Sequence, residues 1–169
     1  MTEFKNYICI DGKKAELTEE QLKALGIELP KKETPFDRRK LHGQYYMISE
    51  AGEVWQTVEL NDSDDRKRYK VANYCADHDL MEQRCMHETL HRLLWRFSIM
   101  NRNEDKADAG FYYYIYCSYG TKKWGIDCCS PDSYTPNDIW FDTEEIAERA
   151  IKEIAEPFMT EHPDFKLFY

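Results

Sequence analysis

The chain has 169 residues, with 32 acids against 23 bases for a net charge of −9; 42% of its residues are hydrophobic and 33% are charged. That length suits one domain, or one domain with a small appendage, and the apolar content suffices for a core. The acidic balance argues against general DNA binding, and no apolar run nears the roughly 18 to 20 residues needed to span a bilayer.

The opening MTEFKNYICIDGKK lacks the basic-then-apolar pattern of a secretory leader, so a cytoplasmic protein is expected. The cysteines at 9, 75, 85, 117, 128 and 129 form no C-x-x-C pair, and are read as reduced thiols in or near the core. NYICI and KKAEL flank Asp11-Gly12, a two-residue hairpin signal. LTEEQLKALG then places Thr18 as N-cap with Gln21 three positions on, a capping box, and Gly26 as the stop. Residues 1–29 are therefore expected as a hairpin-helix unit. PKKETPFDRRK, with two prolines and dense charge, makes 30–43 an expected linker.

From residue 44 to 169 one theme is stated twice. QYYMISEAGEVWQTVEL reads as a hairpin turning at Gly52, and FYYYIYCSYGTKKWGIDC as another turning at Gly120. Each leads through a polar loop to a short extended piece, VANYCAD or NDIWFDT, and then to an amphipathic helix. Gly52 to Asn73 and Gly120 to Phe141 span the same 21 positions. The expected class is α+β: duplicated β-β-β-α units, with antiparallel sheets covered by helices.

Between the first hairpin and its helix lies NDSDDRKRYKVANY, read as a polar loop. Asp62, Asp64 and Asp65 offer an acidic contact for a basic protein. Arg66, Lys67, Arg68 and Tyr69 offer the alternative, a nucleic-acid contact by phosphate pairing and base stacking.

The next helix carries Met86, Leu90, Leu93, Leu94 and Phe97 on its buried stripe, with Asp79 and Glu82 as the expected capping pair. It also spells His-Glu-Thr-Leu-His, in which His87 and His91 would ligate zinc and Glu88 would activate water. A zincin needs a third ligand, and Leu94 and Phe97 stand where the extended motif has glycine and histidine. The remaining candidate, Glu104, falls in a charged loop. The match is read as chance on the shoulder of the helix, with no metal or cofactor expected and zinc hydrolysis as a second alternative.

In the second hairpin Phe111, Tyr113, Ile115 and Cys117 are expected on one face, and Tyr112, Tyr114 and Tyr116 on the other. The last helix, capped by Asp142 or Thr143, has an apolar stripe of Ile146, Ala147, Ala150, Ile151, Ile154 and Ala155. From Asp138 to Asp164 nine acids face only Arg149 and Lys152, a net −7. Asp142, Glu145, Glu148 and Glu156 are the acidic contacts expected there.

Residues Tyr45 to Ile154 resemble a family of small proteins common in prophages and mobile elements of Gram-positive gut bacteria. The resemblance rests on YYMISEAGEV, NDSDDRKRYKVANYC, LHRLLWRF, YYYIYCSYGTKKWGI and IWFDTEEIAERAI. It departs at Ala72 and Cys75, where the family tends to have Gly and Phe, and in the two histidines. What it implies is an accessory phage protein in the host bacterial cytoplasm. Such a protein is expected to be non-enzymatic and to inhibit a host defence protein, with a CRISPR effector nuclease as the possible target.

Overall fold

A computed structural model describes residues 7–10, 13–26, 33–102, 110–118, 120–130 and 139–167. The fold is α+β, and the chain divides into two compact units, Met1–Thr34 and Pro35–Tyr169. The Asp11-Gly12 turn, Glu104 and Asp138 lie outside the described residues.

In the first unit β1 (Tyr7–Ile10) pairs antiparallel with β2 (Lys13–Glu16), Ile10 opposite Lys13. Helix α1 (Glu19–Ala24) begins as the capping box requires: the Thr18 hydroxyl accepts the Gln21 N–H, and the Thr18 N–H donates to the Gln21 side chain. Gly26 ends it in the left-handed region, at φ +69°.

In the second unit β3 (Gln44–Ile48) pairs with β4 (Val54–Val58), and β5 (Tyr112–Cys117) with β6 (Trp124–Cys129). In each copy one residue of the following extended piece bridges back to the first strand: Cys75 to Tyr46, and Phe141 to Tyr113. Two residues later comes the N-cap, Asp77 for α3 (His78–Met100) and Thr143 for α4 (Glu144–Ala150). The equal 21-residue spacing thus misaligns the copies by two positions, because the hydrogen bonds match Cys75, not Asn73, to Phe141. Asp77, rather than an Asp79 and Glu82 pair, caps α3 by accepting the Leu80 N–H at 3.0 Å.

Residues 63–70, expected as loop, form helix α2 (Ser63–Lys70). The end of the expected linker is also structured: Gly43 and Glu59 are hydrogen-bonded through their backbones, and Arg38 reaches Glu59. The unit boundary accordingly falls at Thr34, and residues 35–43 belong to the second unit.

Helix α3 serves both copies. Its start gives Met81 and Cys85 to a cluster with Ile48 and Cys75 under the first hairpin. Its later turns give Leu90, Leu94 and Phe97 to the main core, with Phe141, Ala147, Ala150 and Phe158. Fully buried alanines at 147 and 150 leave room for α3 to pack closely against α4. The last helix continues through a π turn (Ile151–Ala155) into α5 (Glu156–Glu161). Pro157 supplies the reason, since it has no N–H for an α-helical bond and its ring crowds the preceding turn.

The strand faces follow the alternation. Tyr113 and Ile115 pack on the main core beside Trp124 and Ile126, while Tyr114 and Tyr116 lie on the opposite face, with Tyr116 exposed. Phe111 is also exposed, just outside the strand. Among the described residues no helix is long and apolar enough to cross a membrane.

Candidate functional site

The segment Glu59 to Tyr74 folds around two buried carboxylates. Asp62 caps α2 by accepting the N–H groups of Asp64 and Asp65. Asp65, three residues on, turns inward and accepts the Leu60 N–H at 2.7 Å and the Tyr45 hydroxyl at 2.6 Å. Arg68 lies 3.6 Å from the same carboxylate and donates to the Tyr45 oxygen at 3.0 Å. Glu59 is held by both ends of the Arg38 guanidinium, at 3.1 and 2.7 Å, and by the Tyr74 hydroxyl at 3.0 Å. The Tyr45 and Tyr74 rings stack between the two carboxylates, centroids 3.8 Å apart.

These partners set the ionisation. The Arg38 hydrogen bond holds Glu59 below the usual carboxylate range against the opposing effect of burial. For Asp65 burial pushes upward, but hydrogen bonds from Tyr45, Leu60 and Asp62, with the Arg68 charge, leave its carboxyl below its ordinary value. Burial, reinforced by the hydrogen bonds they donate to the carboxylates, pushes Tyr45 and Tyr74 up to about 12. Both phenols therefore stay neutral donors and both carboxylates stay charged, so each buried charge is matched.

Two of the expected contacts change character here. Asp65, at 2% exposure, is structural and cannot meet a partner. Arg68 is committed to Asp65 and Tyr45, and Arg66 donates to the Asn61 carbonyl at 2.7 Å. Of the basic run, Lys67 stands out from the fold, 3.3 Å from Asp64, and Arg66 is exposed as well. Tyr69 is partly exposed but packs edge-on against Tyr74. Arg38, which completes the network, is invisible in sequence because nothing links DRRK to a glutamate 21 positions on.

Of the two motif histidines, His87 serves the tail. His87 Nε2 stands 2.9 Å from the Lys166 carbonyl, to which an imidazole N–H donates, and its ring packs edge-on against Phe165. Gln83, one turn earlier, donates to the Asp164 carbonyl at 2.9 Å and accepts the Lys166 N–H at 2.7 Å. Glu88 is bound to Arg84 at 2.8 Å, and His91 is exposed. Among the described residues no three His, Cys, Asp or Glu side chains converge as a metal site.

The third region is the acidic one. Along the last helix Glu145, Glu148 and Glu156 are exposed, as are Glu144, Glu153 and Glu161, whereas Asp142 is half-buried. The two bases are occupied: Arg149 binds Glu153 at 2.8 Å, and Lys152 lies 3.8 Å from Glu148. The tail that Gln83 and His87 fasten down adds a cleft of about 900 Å³, lined by Asp77, Asp79, Glu82, Glu161 and Asp164 with Lys166. Sequence reading missed this cleft because its two walls are some 80 residues apart.

Protein-family models, curated proteins and solved structures were all searched, and none matches this chain.

Proposed function

We propose that this chain is a non-enzymatic binding protein whose acidic face engages a basic, nucleic-acid-handling protein of the host cell. The observation that supports this reading most is the row of exposed carboxylates on the last helix. Its two bases are tied within the row, so a partner meets net negative charge. A basic groove built to hold phosphates is the complementary surface, and blocking it inhibits without chemistry. The resemblance to phage and mobile-element proteins supports a host defence protein as that partner, with a CRISPR effector nuclease as one such target.

The test compares wild type with the triple variant Glu145→Lys, Glu148→Lys, Glu156→Lys as immobilised bait in host lysate, over a salt series. Wild type is expected to retain a basic protein that salt releases and that the variant, folded by circular dichroism, does not retain. Equal retention by both baits, or none by wild type at low salt, overturns the proposal.

A further inference from the structure

The two copies of the repeated unit part company at the hairpin tip. In each tip the serine N–H donates across the turn, Ser49 to the Glu53 carbonyl and Ser118 to the Lys123 carbonyl. The residue before that acceptor donates back, Gly52 to Ser49 and Lys122 to Ser118. Gly52 thus corresponds to Lys122, and Glu53 to Lys123. Counting from the caps Asp77 and Thr143, Cys85 corresponds to Ile151.

In the first copy the tip lies on its helix. The Cys85 thiol donates to the Gly52 carbonyl at 3.1 Å, and a Cβ at Gly52 would meet Arg92 at 3.5 Å. In the second copy the strand runs on from its bridge at Tyr113 to Cys117, two residues further than Tyr46 to Ile48. The helix, meanwhile, opens into the π turn at Ile151. Where the first copy makes contact, the second has a cleft of about 810 Å³.

The chemistry of this cleft runs against that of the chain. Its floor is apolar, with Trp124, Ile151, Met159 and Leu167, and it opens off the main core. Lys122, Lys123 and Lys166 line it with one carboxylate, Glu156, in a protein of net charge −9. Lys122 sits at φ +55°, a backbone region that strains an ordinary residue and that Gly52 occupies in the first copy without strain. Lys122 lines the cleft and brings an ammonium group to it.

We infer that this cleft binds a small amphipathic carboxylate, its acyl or aryl chain on the Trp124–Met159 floor and its carboxylate at Lys122 and Lys123. The volume falls within the roughly 300–1,000 Å³ of small-molecule sites, and a few charged groups over an apolar floor are what orients such a ligand. The cleft shares Glu156 with the acidic face, but its lysines and apolar floor take no part in the partner contact proposed there.

Isothermal titration calorimetry of the full chain supplies the test, with decanoate and the decyltrimethylammonium cation as probes. The net charge alone favours the cation; the cleft favours the anion. Decanoate is expected to bind one-to-one, and the cation far more weakly. The double variant Lys122→Gly, Lys123→Glu writes the first copy's tip into the second and removes the strain, so it is expected to fold. It should weaken decanoate binding by about tenfold or more, as loss of two charged contacts implies. Met159→Trp, which fills the floor, should abolish binding by a second route. No decanoate binding, equal binding of the cation, or undiminished binding by both variants overturns the inference.

Discussion

Tyr45 joins the buried network to the core, with its ring stacked on Tyr74 and its hydroxyl on Asp65. Tyr45→Phe keeps the ring but takes from Asp65 its shortest hydrogen bond, so the variant should lose about 1–3 kcal/mol. Urea unfolding is the measurement, with a lower midpoint at an unchanged slope. The same residues set a pH window. Glu59 and Asp65 have folded pKa values below their unfolded ones, so the stability they contribute is present above roughly pH 4 to 5 and is lost as pH falls through the folded values. Tyr45 and Tyr74 are raised, so theirs is present below about pH 10 and is lost as pH climbs toward 12. The urea midpoint should therefore be flat at neutral pH and fall on both sides, the acid limb shrinking in Glu59→Gln. At this scale sequence showed that Asp65 is acidic and not that it is buried. Its burial depended on Tyr45, 20 positions away, and on Arg68, three positions on, turning inward with it.

Short helices live or die by their caps, and α2 is the instructive one. Its residues are almost all polar and show no apolar stripe, so hydrophobic periodicity does not reveal it. The signal that was present is Asp62 followed three positions later by Asp65, a capping box with aspartate in place of the usual glutamate. Asp62→Ala should cost about 1 kcal/mol by leaving the Asp64 and Asp65 N–H groups uncapped. Asp64→Ala, which removes exposed contacts to Lys67 and the Ser63 hydroxyl, should leave stability nearly unchanged, and thermal melts of the pair separate cap from surface charge. The cap at Thr18 was legible from its capping box with Gln21, and that of the last helix was narrowed to Asp142 or Thr143 by the apolar stripe that follows, Thr143 being the one observed. The hairpins were legible too, although the left-handed position of the second turn is taken by Lys122 and not by Gly120.

For the whole molecule, the boundary at Thr34 has a direct consequence. A chain starting at Pro35 keeps Arg38 on Glu59 and the Arg39 N–H on the Tyr74 hydroxyl, whereas one starting at Gln44 loses both. The first should unfold in urea at the midpoint of the second unit in the full chain, and the shorter one clearly below it, because Glu59 is left buried without its counter-ion. The sequence by itself determined the α+β class, the two hairpins and long helices, the doubling of the theme and the acidic last helix. These follow from alternation, helical spacing, caps and net charge, which are local or additive properties of neighbouring residues. Tertiary structure alone decided that Asp65 and Arg68 face inward, that His87 holds the tail through Lys166, and that lysines gather over an apolar cleft in an acidic chain. Each of those depends on residues far apart in sequence, and which charge meets which is settled only when packing removes the water between them. His-Glu-Thr-Leu-His has the spacing of a zinc site, but a site also needs convergence, and what converges on His87 is a backbone carbonyl.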